Sequence, residues 1–426
     1  MNKTDHDYQA YLKILREELV PATGCTEPVA IAYAAAVARD ALGAVPDLCE
    51  VRVSANIIKN ALSAAVPNTG GLKGIAAAAA AGIAAGRSEA MLEVLADVSE
   101  ADHPLIREYL DSHEIRVMPA ESDGILYIEI TLHKGRSYSK ILILNFHTNI
   151  VLLEKDGKIL FQAGDEEESS AVGLTDRGIL SVEKIIDFAD TLDIADVEDV
   201  ISRQIDFNSA ICAEGLANRW GEGIGKLLLE TYGDSPMSRA RAAAAAGSDA
   251  RMSGCGMPVI IVSGSGNQGI TASMPVIEYA KALGSDKDRL YRALVVSDLI
   301  TIHQKTGIGR LSAFCGAVSA GCGAGAGIAY LNGGGFNAIA HTIVNALAVT
   351  SGIVCDGAKP SCAAKIALAV EGGILGYNMF VGGRQFRGGD GIVAKGVENT
   401  IANVGRLARE GMKETDREIL RIMVGD

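Results

Sequence analysis

Eight cysteines are the residues of this chain best suited to chemistry, and their spacing sorts them. Cys315 and Cys322 form one C-x6-C pair, and Cys355 and Cys362 form a second about 40 residues later. A separation of seven returns a helical side chain to nearly the same face, so Cys315 and Cys322 also fit a plain core pair. Cys355 and Cys362 flank Asp356-Gly357-Ala358-Lys359-Pro360-Ser361, a turn that runs into a new helix. Thiols there suit a ligand site, because the helix dipole and free N–H groups stabilise negative sulfur. Three or four thiolates fit an iron–sulfur cluster or a structural zinc ion; packing alone is the third reading. Zinc favours tighter cysteine spacing than this chain offers, whereas a larger cluster accepts dispersed ligands. With three cysteines bound, one iron stays open as a Lewis acid. Cys49 and Cys212 lie among apolar residues and read as packing, as does Cys255 in its Ser253–Gly256 turn.

Other motifs carry less. Gly264-Ser265-Gly266-Asn267-Gln268-Gly269 matches a dinucleotide fingerprint and follows the strand-like Val259–Ser263. The second strand and acidic residue that a nicotinamide site needs are missing, since Ser285-Asp286-Lys287-Asp288 leads into another helix. The loop reads instead as a nest of backbone amides opening a helix, suited to a carboxylate or phosphate. Gly225-Lys226 is no P-loop, because Trp220 stands at the first glycine position and Leu227 replaces Ser or Thr. No lysine has the context of a pyridoxal-phosphate site.

The elements that must position these residues follow from composition and periodicity. Lys and Arg number 39 against 52 Asp and Glu, a formal charge of −13, which argues against a nucleic-acid partner or an anionic membrane surface. The chain is 48% hydrophobic with 49 glycines, and its mean hydropathy is +0.21, so it is not disordered. No Asp, Glu, Lys or Arg occurs from Leu311 to Cys355. A membrane span is not expected there, because Asn332-Gly333-Gly334-Gly335, Asn337, His341 and Asn345 interrupt the run. Met1 to Glu18 has no signal-peptide pattern, and a soluble cytoplasmic protein without a membrane partner is expected.

The expected fold is α+β, with an N-terminal α+β domain over 1–180 and a mainly helical domain over 181–426. Helical spacing covers Asp7–Leu19, Glu27–Leu42, Gly71–Ala85, 88–97 and 102–112. Strands are expected at Val51–Ile57, Ile115–Met118, Ile125–Leu132, Ser139–Phe146 and Ile150–Glu154, forming an antiparallel sheet, with Asp165–Glu168 as a solvated loop. Beyond Ser181, helices are expected at 181–191, 195–232, 236–250, 270–284, 287–304, 311–329, 337–352, 360–375 and 392–423. Their small residues allow close backbone approach around a ligand.

Pro21-Ala22-Thr23-Gly24-Cys25-Thr26-Glu27-Pro28 resembles the N-terminal signature of the L-cysteine desulfidase family, also described as YhaM-like proteins. That family is similar to the alpha part of iron–sulfur L-serine dehydratases. Asn56–Asn60, Gly247–Met252, Ser263–Gly269 and Cys355–Lys359 with Cys362 extend the resemblance over nearly the whole chain. The resemblance implies a [4Fe-4S] cluster held by Cys315, Cys355 and Cys362, Cys315 rather than Cys322 matching the first ligand. It departs at the C terminus, where Arg421–Asp426 lacks the tail cysteine of the dehydratases, so tail autoinhibition is not expected. The implied reaction is β-elimination from L-cysteine, or from L-serine or another β-substituted amino acid, giving pyruvate and ammonia without pyridoxal phosphate. A non-catalytic small-ligand protein is the more distant alternative.

Within that reaction Cys25 is the candidate base, its thiol pKa expected to be lowered by the helix starting near Glu27, and Glu27 is the rival. Thr23, Lys59, Asn60, Thr69, Ser265, Asn267 and Gln268 are candidate substrate contacts. The expected assembly is a homodimer.

Overall fold

Alternating apolar residues build one sheet in the first half of the chain, and small-residue periodicity builds a helical body in the second. The structure is a computed structural model and describes residues 1–121, 126–164, 174–309 and 311–425. The first half holds helices α1 (His6–Glu18), α2 (Thr26–Leu42), α3 (Ala55–Ala61), α4 (Gly74–Ala85) and α5 (His103–Ser112). Its strands are β1 (Pro21–Thr23), β2 (Leu48–Val53), β3 (Glu114–Pro119), β4 (Tyr127–Lys134), β5 (Ser137–Leu144), β6 (Ile150–Lys155) and β7 (Lys158–Gln162). Six of them form a sheet in the order β3-β2-β4-β5-β6-β7. Its pairs are antiparallel except β2 with β3, which run parallel because α3 to α5 supply the crossover such a pair needs.

Two element bounds in this half are corrected, the expected antiparallel sheet has one parallel pair, and the edge strand β7 was not expected. The strand expected over Val51–Ile57 stops at Val53, where Ser54 turns the chain into α3. The segment 88–97 is a short 3-10 turn at Ser88–Glu93, interrupted by Met91 at φ +48°. Strand β7 gave no signal because it is an exposed edge without a buried face. The acidic stretch Asp165–Glu168 and Ile125 lie outside the described residues.

The second half contains α6 (Val182–Thr191), α7 (Glu198–Ala217), α8 (Ile224–Tyr232), α9 (Pro236–Met252), α10 (Gly266–Leu283) and α11 (Lys287–Ile308). It continues with α12 (Gly316–Leu331), α13 (Phe336–Thr350), α14 (Cys362–Val381), α15 (Val397–Arg406) and α16 (Lys413–Val424). The helix expected over 195–232 breaks between Ala217 and Ile224, where Gly221 and Gly223 take φ of +51° and +66°. The one expected over 392–423 divides around Leu407–Gly411.

Helix α12 is buried among α10, α11, α13 and α14. A Cβ on Gly373 would lie 2.0 Å from the Gly321 carbonyl oxygen, and one on Gly325 2.5 Å from that of Gly373. Backbone therefore meets backbone between α12 and α14, which only glycine permits. Helix α14 is long and apolar enough to cross a membrane by length and composition. It packs on α9, α12 and α13. Strand β1 pairs antiparallel with β8 (Pro258–Ile260), tying the start of the chain to the helical body beside the site.

Candidate active site

The approach to α2 sets the first group of side chains. Gly24 has φ +65°, and a Cβ there would strike Pro67 Cγ at 2.7 Å, so the turn out of β1 requires glycine. Cys25 then caps α2, and Glu27 lies in its first turn. Glu27 is buried, yet its carboxylate is surrounded by donors. Cys25 Sγ and Thr26 Oγ1 donate to Oε2, and Asn60 Nδ2 donates to Oε1, each at 3.1 Å. His147 Nε2 stands 3.8 Å from Oε1, an ion-pair distance beyond hydrogen-bond reach. Burial alone would raise the Glu27 pKa, but His147 and the Cys25 thiol outweigh it and bring it down to about 2. Thr26 Oγ1 is also 3.1 Å from the Gly264 carbonyl oxygen, which joins α2 to the loop before α10.

Cys25 itself corrects an expectation. It sits at the helix N-terminus, but burial and the neighbouring Glu27 carboxylate push its thiol well above the ordinary range. The result is a neutral thiol donating to an ionised carboxylate.

The other cysteines arrive on two facing strands of loop. Phe314 and Val354 form an isolated β-bridge, with Cys315 N–H donating to Ile353 O at 3.1 Å and Cys355 N–H to Ala313 O at 2.6 Å. Cys315 then caps α12, and Cys362 opens α14. Gly357, at φ +97°, lets the ligand loop lie against α3, where a Cβ would be 2.3 Å from Lys59 O. Asp356 pins the same loop by pairing with Lys359 and Lys365. Burial, and next the proximity of Cys355, raise Cys315 to about 12. Cys362 is raised by burial, with Cys355 adding to it and Lys365 and Arg251 opposing.

All of these meet in one cavity of about 110 Å³. Its lining includes Cys25, Glu27, Asn60, Cys315, Cys355 and Cys362, with Ser265, Asn267, Gln268, His147, Arg251 and Lys305 among its other polar residues. Four helices, α2, α10, α12 and α14, start at this cavity, so their positive ends and free N–H groups face it together. Such a centre offers positive potential to anions, opposing the burial that raises the Cys315 and Cys362 thiols. Cys315 and Cys362 at helix starts, with Cys355 on the loop between α13 and α14, are a thiol set that suits an iron–sulfur cluster. Among the described residues no three His, Cys, Asp or Glu side chains group as a single metal ion requires.

The remaining expected site residues lie elsewhere. Cys322 is buried within α12, its thiol 3.7 Å from Ile343 O. Lys59 is buried, pairs with Asp416 of α16 and faces a second cavity. Thr69 Oγ1 donates to Val66 O at 2.8 Å within its own turn. Thr23 is buried in β1 with its hydroxyl unpartnered, outside the cavity lining. Lys59, Thr69 and Thr23 therefore stand outside the lining of the cavity that holds Cys25, Glu27 and Asn60.

Arg251 and His147 escaped sequence reasoning. Arg251 ends α9 within the Gly247–Met252 segment, and its position beside the 264–269 loop is a tertiary fact. His147 follows β5 in a loop that carries no periodic signal.

A sequence model of the serine dehydratase alpha chain matches residues 89–421. A UPF0597 protein of Desulfitobacterium hafniense is 61% identical, over 100% of this chain and 98% of its own. A UPF0597 protein of Lachnoclostridium phytofermentans is 49% identical over 98% of this chain and 100% of its own, and one of Treponema denticola 46% over 100% of both.

Proposed function

From the premise that the chain belongs to the serine dehydratase alpha chain family, we propose that it is a lyase catalysing iron–sulfur-dependent β-elimination from a small 2-amino acid. L-Cysteine, giving pyruvate, ammonia and sulfide, is the leading substrate on the Pro21–Pro28 signature. L-Serine is the second reading, favoured by the family match itself. The observation that carries the proposal is one cavity lined by Cys315, Cys355 and Cys362 together with the hydrogen-bonded Cys25–Glu27 pair. Cys315, Cys355 and Cys362 would hold a [4Fe-4S] cluster. When bound, the cluster supplies an open iron as a Lewis acid toward substrate oxygen or sulfur.

The chain's own groups handle the proton. As the substrate's Cα–H bond breaks, its proton passes to Cys25 Sγ while the original thiol proton moves to Glu27 Oε2, 3.1 Å away. The electron pair left on Cα forms the Cα–Cβ double bond, and the Cβ–S bond breaks with its electrons on the leaving sulfur. The resulting enamine tautomerises and reacts with water to give pyruvate and ammonia. Asn60 and Thr26 hold Glu27 in place for this relay. The proposal includes a cytoplasmic homodimer with neither nucleic-acid nor membrane partners.

The test is anaerobic reconstitution with iron and sulfide, followed by pyruvate and sulfide assays with L-cysteine and L-serine. A cluster-loaded protein that forms pyruvate from neither would refute the reaction.

A further inference from the structure

The proposed reaction leaves the deepest cation of the cavity without a task. Arg251 is 2% exposed, and its Nη1 donates to Asn267 Oδ1 at 3.2 Å. Its Nε has no hydrogen-bond partner, and among the described residues no carboxylate forms an ion pair with its guanidinium. The nearest acid on the same wall, Glu27, already accepts from Cys25, Thr26 and Asn60. A buried guanidinium with an open donor is costly unless an anion completes it.

Gln268 beside it carries the opposite polarity. It is 5% exposed, lines the same cavity, and its Oε1 has no partner. Space for both side chains is kept by glycines at the first positions of two helices. A Cβ on Gly266 would lie 2.4 Å from Arg251 Nε and 2.8 Å from its Cζ; one on Gly316 would lie 2.6 Å from Gln268 Cδ. Neither glycine has positive φ, so the absence of a side chain, not backbone freedom, is what each supplies.

We infer that Arg251 and Gln268 form a zwitterion seat, Arg251 binding the substrate's carboxylate and Gln268 Oε1 accepting from its α-ammonium group. This rests on the reading of the cavity as the elimination site. It restricts the substrate to a free small 2-amino acid, excluding its amine or its acid alone. A guanidinium suits the role because its planar fork matches a carboxylate.

The test uses three unreactive probes on the reconstituted protein: L-alanine, ethylamine (no carboxylate) and propionate (no ammonium). Calorimetric titration of the wild type should show L-alanine bound more tightly than either fragment. Arg251→Met should weaken L-alanine and propionate by about 30-fold or more, the scale of a lost charge-assisted hydrogen bond, and leave ethylamine unchanged. Gln268→Leu should narrow the gap between L-alanine and propionate. Gly266→Ala keeps the arginine but displaces it, so an L-alanine loss there supports the seat even where Arg251→Met does not fold. Wild type that fails to distinguish L-alanine from ethylamine overturns the inference. So does L-alanine binding within threefold of wild type in either folded Arg251→Met or Gly266→Ala. Pyruvate formation is read separately: binding as described without turnover sinks the reaction, and turnover with unchanged KM in Arg251→Met sinks the seat.

Discussion

Glu27→Gln removes the charge at the centre of the site while nearly preserving shape, and its consequences can be worked out in advance. The wild-type carboxylate accepts three hydrogen bonds of 3.1 Å in a buried setting. Its pKa falls from an ordinary 4.5 to about 2, which corresponds to about 3 kcal/mol at roughly 1.4 kcal/mol per pH unit. A depressed carboxylate contributes its stability above its unfolded pKa and loses it as pH falls through the folded one. The variant behaves like the protonated form at every pH. It should therefore be less stable than wild type by up to about 3 kcal/mol at pH ~7, with the gap closing as pH falls from ~4 through the folded pKa of about 2. Urea unfolding at pH ~7 and again at pH ~2 measures this. The substitution also removes the acceptor for the Cys25 proton, so kcat for pyruvate formation should drop by about 10²- to 10⁴-fold, the usual worth of a positioned acid–base group. With the neighbouring negative charge gone, the Cys25 thiol should titrate lower than in wild type and alkylate faster. Equal stabilities at neutral pH together with kcat within tenfold of wild type would refute the assignment of Glu27 as an ionised proton acceptor.

Other perturbations separate the site from its scaffold. Cys315→Ala, Cys355→Ala and Cys362→Ala should each abolish the iron–sulfur absorbance after anaerobic reconstitution, whereas Cys322→Ala, whose thiol faces Ile343 O inside the core, should keep it; an unchanged cluster in any of the first three contradicts the ligand set. Asp298 is fully buried, and burial lifts its carboxyl to about 7 against the opposing hydrogen bond from Gln204. A raised carboxyl costs stability as pH rises from its unfolded value toward 7, so Asp298→Asn should raise the unfolding midpoint at pH ~8 by an amount worth a few kcal/mol and do little at pH ~4; a pH-independent difference would exclude that titration. Gly373→Ala places a Cβ 2.0 Å from Gly321 O and should cost about 3 kcal/mol or more. Gly352→Ala meets nothing within 4 Å and should stay within about 0.5 kcal/mol of wild type.

Periodicity made the helical body legible because each helix buries a stripe against its neighbours, and that stripe is written every third or fourth residue. Its breaks were harder to read. Residues 195–232 keep their apolar spacing across Gly221 and Gly223, and only the positive φ of those glycines shows that the chain turns there. Strand β7 lacks a buried face, so no alternation marks it. The end of β2 was misplaced for the converse reason: Ile57 continues the apolar pattern of Val51 and Val53, although it belongs to the next helix.

The site was legible where chemistry depends on local sequence and illegible where it depends on approach in space. Cys25, Cys315 and Cys362 stand where a helix begins, and such starts carry local marks, a glycine, proline or serine just before or after the thiol. Lys59 lies on the segment that touches the ligand loop, yet its ammonium group points to Asp416, because helix α3 presents Asn60 to the cavity and the neighbouring lysine away from it. Arg251 is the opposite case, a cation whose neighbours in sequence say nothing of a cavity. The helix-start dipole also proved a poor guide to Cys25, since burial and a carboxylate 3.1 Å away act on the thiol more strongly. The charge-free run from Leu311 to Cys355 joins the two kinds of information. Its composition follows from glycines that let α12 and α14 touch backbone to backbone, and that contact brings the starts of both helices to one cavity. Small residues there do more than fill a core: a single added methyl between Gly321 and Gly373 would part the helices whose N-termini carry Cys315 and Cys362.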